Sequence, residues 1–188
     1  MSFDHANEGR ANPNWGKSGY MNNCGACVVA FKLRLDGWDV VADACTNGSK
    51  VKEITEEDKL TKIWQHKSSN KIAEWGTLVA HSKSYMYRSL YNMIKSGEIY
   101  QIFYDLIVDN CSHTIVVGKR DDGVFYYYDP QQFLNNKGRL TYTTERGAIL
   151  DKGFNLVRFG GYTEIKFIRI DDKVLNPDYV SVVRRAGA

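Results

Sequence analysis

The stretch that most limits how this chain can fold is residues 113–131, His-Thr-Ile-Val-Val-Gly-Lys-Arg-Asp-Asp-Gly-Val-Phe-Tyr-Tyr-Tyr-Asp-Pro-Gln. Two runs of β-branched and aromatic residues, 113–119 and 124–129, flank Asp121-Asp122-Gly123. That order predicts a β-hairpin with its turn on 121–123. Pairing partners then sum to about 242–244, by hairpin geometry. His113 is thereby set opposite the segment Asp129-Pro130-Gln131. An imidazole at the start of one strand and a carboxylate at the end of its neighbour can touch across such a ladder. Asp before Pro is also a common way simply to end a strand. In the run Phe125-Tyr126-Tyr127-Tyr128 successive side chains alternate faces, so half are expected in the core.

Around the hairpin, 99–108 and 162–170 have the same β character, and 38–42 predicts a short strand. Earlier in the chain the period is helical. Cys24, Cys27, Val28, Phe31 and Leu35 fall on one helix face. Asn22 or Asn23 can cap this helix, and Gly37 can end it. A second helix is expected to open at Thr55, and a third to run from Ser82 or Ser84 to Gly97. Residues 70–80 are ambiguous, 130–160 have loop character, and the C-terminal stretch predicts a short helix. Helices first and a mainly antiparallel sheet after them make an α+β chain. With 188 residues, one domain over 21–188 is expected, preceded by a flexible arm over the Asn- and Gly-rich residues 1–20.

Composition excludes several function classes. A formal charge of +3, with no basic block interleaved by aromatics, gives no footprint for nucleic acid. Arg184-Arg185 reads as a solvated tail. No apolar run reaches membrane-spanning length, and residues 1–19 lack the basic start and apolar core of a secretory signal. No membrane partner is therefore expected, and the chain is expected in the cytosol where it is made. The four cysteines, 24, 27, 45 and 111, are expected to be reduced there.

Cys24-Gly25-Ala26-Cys27 sits at the predicted helix start. A helix N-terminus and a nearby imidazolium both favour thiolate. The first-turn N–H groups can hold the oxyanion of a tetrahedral intermediate. With His113 as base and Asp129 fixing its tautomer, the set is complete for thiol acyl transfer. Cys24 follows the capping Asn and is nearest the exposed turn, whereas Cys27, one turn in, is better placed to pack. Cys27 stays open as the alternative nucleophile. Buried packing is expected of Cys45 and Cys111, and surface positions of His5, His66 and His81. Trp15, Trp64 and Trp75 could line a groove, but packing is the simpler expectation. The rival reading is a zinc-stabilised, non-catalytic binding module using Cys24, Cys27, Cys111 and His113. Its second pair is spaced by one residue, unlike a zinc knuckle. A thioredoxin-type pair would need a βαβ setting, which is missing.

The blocks "NNCGACVVAFKLRLDGWDVVA" and "HTIVVGKRDDGVFYYYDPQ" resemble the papain-fold toxin family, which includes glutamine deamidases among bacterial effectors and has related domains in phage head-associated proteins. The resemblance is tight over these two blocks and loose over 22–170. It implies a papain-like fold, with an N-terminal nucleophile helix packed on a mainly antiparallel sheet. It also implies a triad of Cys24, His113 and Asp129, with Asn23 and Gln131 in supporting or substrate-contacting roles. The similar string in papain itself has its second cysteine as nucleophile, which would select Cys27. The implied activity is a cofactor-free, metal-free amide hydrolysis on a protein substrate. Glutamine deamidation is favoured, with proteolysis, transamidation or a phage-particle hydrolase as variants. A toxin of this kind would have an immunity protein, or delivery machinery that carries it to a target cell by a specialised secretion system.

Overall fold

A computed structural model describes residues 11–107, 111–131, 142–160 and 162–187. They form a mixed α+β structure whose strand pairs are all antiparallel. The chain divides into two compact units. The first takes in Met1–Glu74, Pro130–Leu134 and Asp172–Ala188, and the second Trp75–Asp129 and Asn135–Asp171.

In the first unit, helix α1 spans Cys24–Leu35. Chain direction reverses after it at Gly37, whose φ of 94° favours a residue without a Cβ. The apolar stripe read from the sequence is only part of what α1 buries, because Lys32 and Arg34 are buried too. Each charge has a partner: Lys32 pairs with Asp36, and Arg34 with Asp39 and the Val40 carbonyl. Such pairing is what makes a buried cation tolerable. The helix packs on β1 (Val40–Ala42), which pairs with β10 (Val183–Arg185). Arg184 and Arg185 therefore face Val41 and Val40 across a ladder and are not a tail.

Two one-turn helices follow, α2 (Lys50–Glu53) and α3 (Glu57–Leu60); the helix expected to open at Thr55 falls on the second, and the first was not expected. Ser49 starts the first by accepting the Lys52 N–H, an N-cap the sequence reading passed over. Ile54 and Leu60, from this region, close on α1 at Gly25, where a Cβ would lie 3.1 and 3.2 Å from their methyl carbons. β2 (Trp64–His66) pairs with β9 (Lys173–Leu175), and a 3-10 turn over Pro177–Val182 follows, begun by the Asn176 side chain on the Asp178 N–H. Residues 11–20 form turns in which Ala11 and Asn12 are buried. The Ala11 carbonyl accepts the Ala42 N–H and the Gly19 carbonyl the Cys45 N–H. The rest of the predicted arm, 1–10, lies outside the described residues.

In the second unit a six-stranded sheet runs in the order β3-β8-β4-β5-β6-β7. Its strands are β3 (Gly76–Ala80), β4 (Ile99–Asp105), β5 (Ser112–Lys119), β6 (Phe125–Tyr128), β7 (Tyr142–Thr143) and β8 (Thr163–Arg169). Helix α4 (Lys83–Met93), capped by Ser82 accepting the Tyr85 N–H, adds Met86 and Leu90 to the core. The β5–β6 pairs Val116↔Tyr128 to Lys119↔Phe125 each sum to 244, at the upper edge of the range read from the turn. All four aromatics of β6 are buried, not half of them. Phe125 and Tyr127 join the core with Ile115, Val117 and Phe154. On the other face, Tyr126 lies by Tyr142 and over Gly118, its partner across the ladder. The stretch 130–160, read as loop, holds β7, a short helix α5 (Arg146–Ala148) and a wide turn over Ile149–Gly153. Its residues 132–141 lie outside the described residues.

Candidate functional site

Each unit carries part of the expected chemistry. In the second, ladder pairing sets His113 opposite Tyr104, whose ring meets the imidazole edge-on with centroids 6.0 Å apart. The last β5–β6 pair is Val116↔Tyr128, so Asp129 is the first residue past β6. Its Oδ2 lies 2.9 Å from His113 Nε2. Asp129 is 1% exposed and His113 14%. A carboxylate only accepts, so the proton of this bond sits on Nε2, and in the neutral imidazole the lone pair is then on Nδ1. An imidazole held this way can serve as a base at Nδ1, with a buried anion behind it to stabilise the imidazolium.

In the first unit Cys24 is the first residue of α1 and half-buried, while Cys27 is fully buried. The Cys27 thiol donates to Asn23 Oδ1 at 3.3 Å, the behaviour of a packed thiol. Asn23 holds the N-cap position, but its side chain does not cap the helix. It is buried and turned inward: Nδ2 donates to the Asp43 carbonyl at 3.0 Å, and Oδ1 accepts from Cys27 and from Asn12. The first intrahelical bond runs from the Cys27 N–H to the Asn23 carbonyl. The opening N–H groups of the helix, at Cys24 to Ala26, are thus left uncapped by any side chain among the described residues. Gln131, 5% exposed, ties down the approach to this turn, its Nε2 donating to the Met21 carbonyl at 2.9 Å.

Two residues around these groups were not anticipated. Tyr104 meets His113 through the β4–β5 register, which no turn signal in the sequence had specified. Asn12 sits in an Asn-rich leader with no periodicity to mark it. Cys45 and Cys111 are half-buried and exposed, not core residues. Burial pushes the Cys45 thiol above its ordinary pKa; the Lys52 ammonium opposes this, and Cys24 adds to it. His66 and His81 are exposed, and His5 lies outside the described residues. Trp64 is buried, and Trp15 and Trp75 are half-buried. Among the described residues, no group of three or more His, Cys, Asp or Glu side chains is arranged to hold a metal ion. No described helix is long and apolar enough to cross a membrane. The chain matches no protein-family model, and no curated protein matches it significantly.

Proposed function

We propose that this protein is a cysteine-dependent amide hydrolase with a papain-like fold, acting on a protein substrate as a glutamine deamidase of toxin or effector type. The observation that carries the reading is the 2.9 Å bond between His113 Nε2 and the buried Asp129 carboxylate, which orients the ring with Nδ1 as the nitrogen to act as base. Cys24, half-buried at an uncapped helix start, supplies the thiol. His113 takes the Cys24 proton, and the sulfur attacks the carboxamide carbon of a glutamine side chain. The first-turn N–H groups meet the oxyanion. The imidazolium returns its proton to the leaving nitrogen, and ammonia departs. Water then hydrolyses the thioester, releasing glutamate and restoring the thiol. A peptide bond in place of the side-chain amide gives proteolysis, and an amine in place of water gives transamidation. An immunity protein or delivery machinery would be the partner of a toxin of this type.

The reading requires Cys24 and His113 to act together, and cysteine labelling tests that. The protein and its His113→Ala variant are treated with iodoacetamide near neutral pH, with and without a chelator, and all four cysteines are mapped by mass spectrometry. Fast, selective labelling of Cys24 that slows in His113→Ala is expected. The same pattern at Cys27 keeps the mechanism and moves the nucleophile. Slow labelling everywhere until chelator exposes Cys24, Cys27 and Cys111 together overturns the enzyme reading in favour of a zinc module.

A further inference from the structure

Asn12 lies in a turn-rich segment that the chemistry above does not use, yet it is 1% exposed. Its amide sits at the centre of the bonds behind α1. Nδ2 approaches three oxygens: the Tyr20 carbonyl at 3.0 Å, the Gln131 carbonyl at 2.9 Å and Asn23 Oδ1 at 3.3 Å. Oδ1 in turn lies 3.4 Å from Asn23 Nδ2. Asn12 and Asn23 thus face each other as reciprocal amides, at the long end of hydrogen-bond range. Asn23 is the residue before Cys24, and Gln131 holds the Met21 carbonyl just ahead of it. One amide therefore joins the three pieces that fix where α1 begins: the 11–20 turns, the inward-turned Asn23 and the Gln131 segment. A buried amide with this many acceptors gathered on it costs free energy if removed, since the acceptors lose their donor.

We propose that Asn12 is a positioning residue for the Cys24 thiol, holding Asn23 turned inward so that the first turn of α1 keeps its placement and its uncapped N–H groups. The proposal rests on the reading of Cys24 as nucleophile, but it concerns the placement of the thiol and can be tested without a substrate. Asn12→Ala removes the donor to all three oxygens. Asn12→Ser keeps a shorter donor and acceptor. Lys17→Ala removes only an exposed bond to Asn14 in the same segment and serves as control.

Iodoacetamide labelling rates at Cys24, Cys27 and Cys45 are compared across these variants and His113→Ala, alongside urea unfolding of each. Asn12→Ala is expected to slow Cys24 about tenfold, short of the hundredfold that a misplacement of about 1 Å can bring. Cys27 stays protected, Cys45 keeps its rate, Asn12→Ser recovers part of the loss, and Lys17→Ala behaves as the parent. An unchanged Cys24 rate in Asn12→Ala overturns the proposal. So does a joint rise in Cys27 and Cys45 labelling, which marks general loosening, and so does unfolding of both Asn12 variants. If His113→Ala leaves Cys24 labelling untouched while Asn12→Ala slows it, the catalytic reading fails and the positioning assignment stands.

Discussion

Replacing Asp129 by Asn changes little but charge, and under the proposed function its effect on Cys24 follows from what the carboxylate does for His113. The carboxylate is 1% exposed and its Oδ2 is 2.9 Å from His113 Nε2, so the isosteric amide fits the same space. With its oxygen toward Nε2, Asn accepts the same proton and preserves the tautomer. What is lost is the charge assistance: a bond to a charged group contributes about 1.5–3 kcal/mol, against about 0.5–1.5 for a neutral one. The imidazolium therefore loses about 1–1.5 kcal/mol of support, and a step that forms it slows roughly five- to thirteenfold. If the amide turns its nitrogen toward the ring, the proton moves to Nδ1, the base is blocked, and the loss exceeds about a hundredfold. The assay is the second-order rate of Cys24 alkylation at neutral pH in Asp129→Asn and its parent, with thermal unfolding to show that the variant is folded. A folded Asp129→Asn protein whose Cys24 labels within a factor of about two of the parent would refute the reasoning, because the charge effect alone exceeds that.

Two further outcomes follow from packing and burial. At Gly118 a Cβ would lie 2.5 Å from Tyr126 Oη, 2.6 Å from its Cζ and 2.8 Å from the Glu98 carbonyl oxygen. Gly118→Ala is therefore expected to destabilise the protein by roughly 1–3 kcal/mol, the range for overpacking a buried site; a loss below about 0.5 kcal/mol in urea unfolding would show that the ring moves aside freely. Burial raises the Cys45 pKa, so at a given pH less of it is thiolate, and its alkylation at pH near 8 should lag that of exposed Cys111, with the gap closing as pH rises. A Cys45 rate equal to that of Cys111 throughout would contradict the shift.

The parts of the structure legible in the sequence are those specified by neighbours in the chain. The β5–β6 register followed from the Asp121-Asp122-Gly123 turn and the period-two pattern on either side. The bounds of α1 were placed by Asn22 or Asn23 and by Gly37, although the Asn23 side chain makes no cap bond. What was missed depends on distant partners. Val183-Arg184-Arg185 has too little apolar content to announce a strand and becomes one only against Val40–Ala42. The full burial of β6 comes from the sheet's second face, where Tyr126 finds Gly118 and Tyr142. α2 was missed because the acidic run 56–58 drew the helix start to Thr55, past the Ser49 cap. The burial of Asn12 was missed because an Asn there looks the same whether water or Asn23 is its partner.

The fate of Asn23 bears on the chemistry. A side-chain cap on a helix start is worth about 0.5–2 kcal/mol, and Asn is among the residues best able to provide one. Here that side chain is spent on Asp43, Cys27 and Asn12, and the helix forgoes the bond. Had the cap formed, Asn23 would occupy N–H groups of the very turn that bears Cys24. Under the proposed function the uncapped turn is useful, since an oxyanion needs donors that are already oriented and not engaged elsewhere. The same network gives Cys27 a hydrogen-bond acceptor inside the unit, which separates the packing thiol from the half-buried one three residues earlier. The inward rotation of one amide thus accounts for two features together: a first turn of α1 that Asn23 does not cap, and different surroundings for its two cysteines.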